Sequence, residues 1–265
     1  MAAEDIDLLL AAAREAGEIA LGYHRHDPRR WQKAGGSSVS EADIAVDRML
    51  AERLRAARPD YGWRSEEEAD PVVPGHGRAF IADPIDGTRE FLDGGDEWAV
   101  SLAVVEAGRP VAAVVHAPAL GETYHAVRGG GAFRNGVPIR VSARTALSGA
   151  RVAGPRRFAR RQLEAAGISG SAFRFVPSLA YRLVLAAAGV ADISIAGPNA
   201  HDWDVAAADL IVSEAGGVFT SFEGDVPNYG MEQNVLPALI AGGKAIVAAA
   251  RRALAEARHA EGVAR

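Results

Sequence analysis

Residues 78–88 read Arg-Ala-Phe-Ile-Ala-Asp-Pro-Ile-Asp-Gly-Thr. The apolar run 78–83 has the length and composition of a buried strand, and Pro84, which cannot donate to a ladder, is expected to stop it. Asp83 and Asp86 stand three apart, and in a regular strand they would face opposite sides. Pro84 and Gly87 permit a sharp turn, which lets both carboxylates and the Ile85 carbonyl converge on one point. Converging hard oxygens suit Mg²⁺ or Mn²⁺ rather than zinc or copper. Gly87 lets backbone approach a ligand closely, the amides after it can form an anion-binding nest, and the Thr88 hydroxyl can orient a water. The competing reading is an Asp-rich turn with no ligand, in which Asp caps and Gly supplies a left-handed residue.

The pattern around this stretch predicts an interleaved α/β chain. Ile6, Leu9, Leu10, Ala13, Ala16, Ala20 and Tyr23 fall at helical spacing over 5–24. His24–Ser38 is polar and reads as a loop. Ser40 followed by Asp43 opens a capped helix over 41–57. The runs 97–106, 110–117 and 122–127 read as consecutive antiparallel strands, with turns at Gly129-Gly130-Gly131 and Asn135-Gly136. From residue 150 a second half alternates helix (156–167), strand (173–176), helix (178–189), strand (191–196), helix (204–214), strand (218–222), strand (238–241) and helix (244–260). Gly216-Gly217 closes the 204–214 helix.

Composition narrows the class. The chain has 265 residues, 49% of them hydrophobic, with net charge −5 and no cysteine. Wholesale disorder is excluded, as are a disulfide scaffold, a zinc-thiolate site and a cysteine nucleophile. Mixed charges of slightly acidic balance argue against nucleic-acid binding as the main task. Glu4, Asp5 and Asp7 stand where a signal peptide carries base, and no apolar run approaches the ~20 residues of a membrane span. A cytoplasmic protein is the expectation.

Further acidic groups extend the candidate site. Ser65-Glu66-Glu67-Glu68 is either a solvated run or a source of one more oxygen ligand, Glu66. Asp204, in Asp202-Trp203-Asp204, is either a helix N-cap or a ligand, and a capping Asp can be both. Asp43 is either a first-turn carboxylate or the acceptor for the Thr88 hydroxyl. Arg151, Arg156, Arg157, Arg160 and Arg161 form a basic stretch that reads first as a solvated helix face.

Taken in order, Lys33…Ser40-x-x-Asp43, Ser65-Glu66-Glu67, Asp83-Pro84-Ile85-Asp86-Gly87-Thr88 and Trp203-Asp204-x-Ala206-Ala207…Glu214-Ala215-Gly216-Gly217 resemble the inositol monophosphatase-like superfamily of metal-dependent, lithium-sensitive phosphatases. The resemblance implies a layered α-β-α-β-α sandwich formed by one domain over 1–265, with halves near 1–149 and 150–265. It implies that Glu66, Asp83, the Ile85 carbonyl, Asp86 and Asp204 bind two or three Mg²⁺. Glu66 and Thr88, with Asp43 behind the threonine, would position the nucleophilic water, and the Gly87 and Thr88 amides would hold phosphate. The chain departs from the family pattern at Gly35, Ser38 and Ser40. The implied chemistry is sound on its own terms: metals bridging phosphate oxygens offset their charge, acidify a bound water and stabilise the leaving alkoxide. No P-loop lysine and no G-x-S-x-G elbow competes with it.

Thr88-Arg89-Glu90-Phe91, Asp96-Glu97-Trp98-Ala99-Val100-Ser101, Gly108-Arg109-Pro110 and His116-Ala117-Pro118 look more like the 3'(2'),5'-bisphosphate nucleotidases than the inositol monophosphatases proper. Ser178-Leu179-Ala180-Tyr181-Arg182 is similar to a Gly-Ser-Ser-Leu-Lys segment of those nucleotidases. Ser178 and Arg182 are therefore candidate substrate contacts, with Arg182 on a second phosphate; the competing reading makes Arg182 a surface helix residue. The leading expectation is removal of the 3'-phosphate of adenosine 3',5'-bisphosphate. Histidinol phosphate and inositol 1-phosphate are the alternatives, since histidinol-phosphate phosphatases also carry Arg after Asp-Gly-Thr. A non-enzymatic alternative is a regulator bound to a transcription complex. The expected partner is a small-molecule phosphate ester, with no membrane and no nucleic acid. Relatives are often homodimers, but no interface is legible in the sequence.

Overall fold

Two long β-strands buried on both faces organise the molecule, whose computed structural model describes residues 2–33, 36, 38–67, 77–165, 170–230 and 235–263. In chain order the elements are α1 (Ala2–Tyr23), β1 (Arg30–Gln32), β2 (Ser38–Ser40), α2 (Glu41–Ala57), β3 (Gly62–Ser65), β4 (Arg78–Asp86), α3 (Thr88–Leu92), β5 (Ala99–Glu106), β6 (Arg109–Ala117), β7 (Glu122–Val127), β8 (Gly131–Arg134) and β9 (Val137–Pro138). The second half adds β10 (Arg151–Ala153), α4 (Arg156–Ala165), β11 (Ala172–Arg174), α5 (Leu179–Ala187), β12 (Ile193–Ala196), α6 (Asp202–Glu214), β13 (Gly217–Ser221), β14 (Leu239–Gly243) and α7 (Lys244–Val263).

A seven-stranded sheet runs β3-β4-β5-β6-β7-β8-β9, antiparallel except for the β3–β4 pair. A five-stranded mixed sheet runs β11-β10-β12-β14-β13, and β1–β2 form a separate ribbon. Alternation along the strands divides the core. Phe80, Ala82, Val100, Leu102, Val104 and Val114 meet Leu9, Ala13, Val46 and Leu50 of α1 and α2. On the other face Ile81, Ala103, Val105 and Val115 meet Leu183, Val184, Val205 and Ile211 of α5 and α6, which also cover Leu239 and Ala241 of the small sheet. Val152, Ile193, Ile195 and Ile240 then bury against Leu163, Ile246 and Leu254 of α4 and α7. The layers are thus helices, large sheet, helices, small sheet, helices: the expected α-β-α-β-α sandwich. Burial on both faces explains why 102–105 and 111–115 read as continuous apolar runs.

Several local expectations change. Pro84 does not end the strand: β4 continues to Asp86 through a register shift, with Asp83 opposite Ser101 and Asp86 opposite Ala99. Three steps on β4 match two on β5, which is one inserted residue, a bulge that accommodates the missing Pro84 N–H. The bulge, rather than a sharp turn, brings residues three apart onto one side. The stretch 24–38, expected as loop, contains β1, paired with β2 through Trp31 and Val39. Strands β3, β8, β9 and β10 are too short to give a period-2 signal. The β8–β9 hairpin turns at Asn135-Gly136, both at positive φ (50° and 77°), as a type I′ turn requires. Helix α6 starts at Asp202, two residues before the expected start. Among the described residues no helix is long and apolar enough to cross a membrane.

Candidate active site

The end of β4, the start of α3, the turn after β3 and the first turn of α6 meet at one pocket of about 460 Å³, lined among others by Ser38, Glu66, Asp83, Asp86, Thr88, Phe175, Pro177 and Asp204, and the N-terminal ends of α2 and α5 support it from behind. Carboxylate oxygens of Asp83, Asp86 and Asp204 lie within 4.8 Å of one another. Asp83 and Asp86 are buried. Burial, first of all, raises the Asp83 carboxyl well above the carboxylate range, and the neighbouring Glu66, Asp86 and Asp204 add to it. Asp204 moves the same way, through burial and then Asp86. Burial also raises Asp86, against the hydrogen bonds of Ser178 and Ala180 that favour its charge. Three crowded carboxylates in low dielectric need either protons or a cation. The donor set is all oxygen, which fits Mg²⁺ or Mn²⁺.

Each carboxylate is held from behind. Asp83 Oδ1 accepts the Ile85 N–H at 3.1 Å, which fixes the bulge. Asp86 Oδ2 accepts from Ser178 Oγ and from the Ala180 N–H at 2.6 Å. Ser178 is the N-cap of α5, where its Oγ also accepts the Tyr181 N–H at 3.0 Å. Its hydroxyl, expected at the substrate, is fully buried and committed to Asp86 and the helix end. Asp204 is the third residue of α6 rather than its N-cap, and its Oδ2 accepts the His201 N–H at 2.7 Å. That bond satisfies the cap backbone and leaves Oδ1 for the pocket.

The Thr88 hydroxyl lies 3.1 Å from Asp43 Oδ1 and 3.0 Å from the Ile85 carbonyl. Asp43 Oδ2 accepts from Ser40 N at 2.8 Å and Ser40 Oγ at 2.6 Å, so one side chain closes the capping box of α2 and reaches the site. Gly87 has φ +96°, and a Cβ there would stand 3.3 Å from the Ser178 Cα. Its freedom is spent on passing α5, and the α3 backbone starts from that left-handed residue.

Glu66 lines the pocket but stands outside the group of three. Its Oε1 is 3.1 Å from Lys33 Nζ, which also bonds Glu67 Oε1 at 2.8 Å and the Glu66 carbonyl at 3.2 Å. Burial lifts the Glu67 carboxyl to about 7, against the pull of Lys33. Lys33 belongs to the sequence pattern but has no role assignable from it, because its position beside the ribbon β1–β2 gives no periodic signal. Glu68 and Gly35 lie outside the described residues.

Arg182 is not a surface residue. It is 5% exposed, and its Nη1 donates to the Val176 carbonyl at 3.0 Å. Burial lowers its pKa to about 10, opposed by the charges of Asp86 and Asp204. It therefore lies beneath the carboxylates, turned to backbone rather than to the pocket mouth. The mouth itself carries residues that the sequence pattern leaves without a role: Phe175, 54% exposed, with Pro177, Asp93 and the exposed Arg89. Glu214, the acidic residue before Ala215-Gly216-Gly217, is structural: its carboxylate takes the N–H groups of Gly129 and Gly131 at 2.7 and 2.9 Å.

Comparison with known proteins agrees with this architecture. The sequence profile described as the inositol monophosphatase family matches residues 2–261. The chain is 34% identical over 227 residues to a histidinol-phosphatase of Chlorobaculum parvum, covering 83% of this chain and 86% of that protein. It is 37% identical over 200 residues to an inositol-1-monophosphatase of Rhizobium meliloti, covering 72% and 75%. A solved IMPase structure from Thermotoga maritima superposes with TM-score 0.85 at 30% identity, covering 97% of this chain and 98% of that one. Profile, relatives and superposition agree with the layered fold, and the chain belongs to the inositol monophosphatase family, whose members are phosphatases acting on phosphate monoesters.

Proposed function

We propose that this chain hydrolyses a small phosphate monoester with Mg²⁺ held by Asp83, Asp86, Asp204, Glu66 and the Ile85 carbonyl. The observation that carries the reading is the convergence of three carboxylates within 4.8 Å on a pocket floor. When bound, the metal offsets the ester's charge and acidifies water. The chain's own groups then do the positioning. Thr88 Oγ1, held by Asp43, accepts a hydrogen bond from the attacking water when its own proton is given to Asp43. Glu66 would accept the water's proton as the new P–O bond forms and the ester P–O bond breaks, and the leaving alkoxide would take a proton from solvent to depart as the free alcohol. The Gly87 and Thr88 N–H groups donate to phosphate oxygens. Ser178 holds Asp86 in register, and Arg182 supplies a fixed positive charge beneath the cluster.

For the organic part of the ester, the exposed ring of Phe175 and the carboxylates of Glu90 and Asp93 suit an alcohol bearing an amine or imidazole. Histidinol phosphate has that chemistry, and the name of the Chlorobaculum relative supports it. The reading as a bisphosphate nucleotidase loses the second-phosphate contact expected of Arg182, which is bonded to Val176. It keeps one favouring observation, the exposed Arg89 at the pocket mouth. Phosphate release from histidinol phosphate, inositol 1-phosphate, adenosine 3',5'-bisphosphate and fructose 1,6-bisphosphate, each with Mg²⁺, tests both. Highest kcat/KM on the bisphosphate nucleotide would reverse the order, and no release from any of them would sink the phosphatase reading.

A further inference from the structure

Helix α2 carries two buried aspartates one turn apart, Asp43 and Asp47. Asp43 reaches Thr88. Asp47 points to a different part of the site. Its Oδ1 accepts from Ser65 Oγ, and the same Oγ accepts the Glu67 N–H at 3.2 Å. Ser65 is the last residue of β3, in register with Ala82, the neighbour of Asp83. The next amide, Glu66 N–H, donates to the Ala82 carbonyl at 3.2 Å. The turn carrying Glu66 and Glu67 is thus tied at one amide to β4 and at the next, through Ser65, to α2.

We propose that Asp47 and Ser65 are positioning residues that set the Glu66–Glu67 turn against Asp83. Ser65 is 0% exposed and Asp47 6%. Desolvating a hydroxyl and a carboxylate is costly, and apolar residues of similar volume often fill such a place with no loss of stability. Packing alone therefore does not require this pair. What the pair does that apolar side chains cannot is fix the direction of the Glu67 amide, and with it the orientation of the Glu66 carboxylate. Asp43 and Asp47 together make α2 a two-point brace, one point on the threonine of β4–α3 and one on the acidic turn.

The proposal rests on Glu66 serving the metal site, and its test separates the two ideas. Calorimetric titration of the metal-free full chain with Mg²⁺, and with Mn²⁺ as a second probe, is read for wild type, Ser65→Ala, Asp47→Ala and Asp47→Asn. Loss of an outer hydrogen bond to a ligand segment typically weakens metal binding about tenfold or more. Ser65→Ala and Asp47→Ala should each show that loss with KM for the ester unchanged at saturating Mg²⁺. Asp47→Asn keeps a carbonyl oxygen to accept from Ser65 and should bind like wild type. Ser65→Ala titrating like wild type, or Asp47→Asn losing as much as Asp47→Ala, would overturn the proposal while leaving the metal site standing. A wild-type chain that binds neither cation would overturn both. Should Asp47→Ala fail to fold by circular dichroism, the contrast between a weakened Ser65→Ala and a wild-type-like Asp47→Asn decides the same question.

Discussion

Replacing Asp86 by Asn should stabilise the metal-free protein at neutral and alkaline pH and do nothing at acid pH. Three carboxylates share a space within 4.8 Å. At an effective dielectric of about 20, two full charges at that separation repel by roughly 3 kcal/mol, so three ionised groups would oppose folding by an amount comparable to a whole domain's stability. The folded site therefore keeps protons that the unfolded chain gives up. For Asp86 the carboxyl rises to about 6 from 3.8, which corresponds to about 3 kcal/mol of differential interaction. Because the folded pKa is raised, the contribution is complete below the ordinary carboxylate range and is lost as pH rises through about 6. The half-buried His116, His125 and His201, whose pKa values burial lowers, act in the opposite direction over the same range. They are common to both proteins, so the difference between wild type and Asp86→Asn reports the carboxylate cluster, that is, Asp86 itself together with the lift it gives Asp83 and Asp204. Urea unfolding in EDTA at steps from about pH 4 to about pH 8 should show Asp86→Asn gaining about 3 kcal/mol at the upper end and converging with wild type at the lower. Mg²⁺ at about a hundredfold above its Kd should stabilise wild type by about 2.7 kcal/mol and Asp86→Asn by far less. A difference that does not vary with pH, or a variant stabilised by Mg²⁺ as strongly as wild type, would refute the crowded-carboxylate account.

Asp83→Asn should retain its circular dichroism spectrum and lose most phosphate release; near-normal turnover would contradict a ligand role. Thr88→Val and Asp43→Asn should be non-additive, the double variant turning over about as slowly as the slower single variant, because the two side chains act through one hydrogen bond. Millimolar Li⁺ should inhibit turnover by occupying one Mg²⁺ position, and full activity in Li⁺ would count against that. Tyr229→Phe leaves the buried Asp209 carboxylate without a donor now at 2.9 Å, and denaturant unfolding should show a loss of about 1–3 kcal/mol.

Asp83 and Asp86 are legible in sequence because the punctuation by Pro84 and Gly87 constrains their place, whereas the meeting of Asp204 with them follows from the family resemblance, and Glu66 stands outside that group of three. The long helices and buried strands were legible because their apolar runs are long. What escaped was geometry that depends on a partner far along the chain. The bulge at Asp83–Asp86 is visible only against Ser101 and Ala99 of β5. Its place in a motif marks Ser178 as a substrate contact, yet what its hydroxyl meets is Asp86, 92 residues away. Arg182 carried a charge that composition assigns to solvent, and only the packing of α5 between two sheets shows that it is sealed. The strands β1, β3 and β10 have three or four residues each, too few for an alternation to be told from chance.

The pocket draws its walls from two kinds of backbone. Asp83 and Asp86 ride on a strand hydrogen-bonded along both edges, whereas Phe175 and Pro177 come from the irregular link between β11 and α5. Within that link Val176 is fixed, fully buried with its carbonyl on Arg182, and Ser178 caps the helix; Phe175 and Pro177 can be exchanged while the hydrogen bonds that hold the carboxylates stay in place. Such a division makes selectivity a separable trait: the few positions that would meet the alcohol can be rewritten while the strand and helix ends that carry the carboxylates keep their shape.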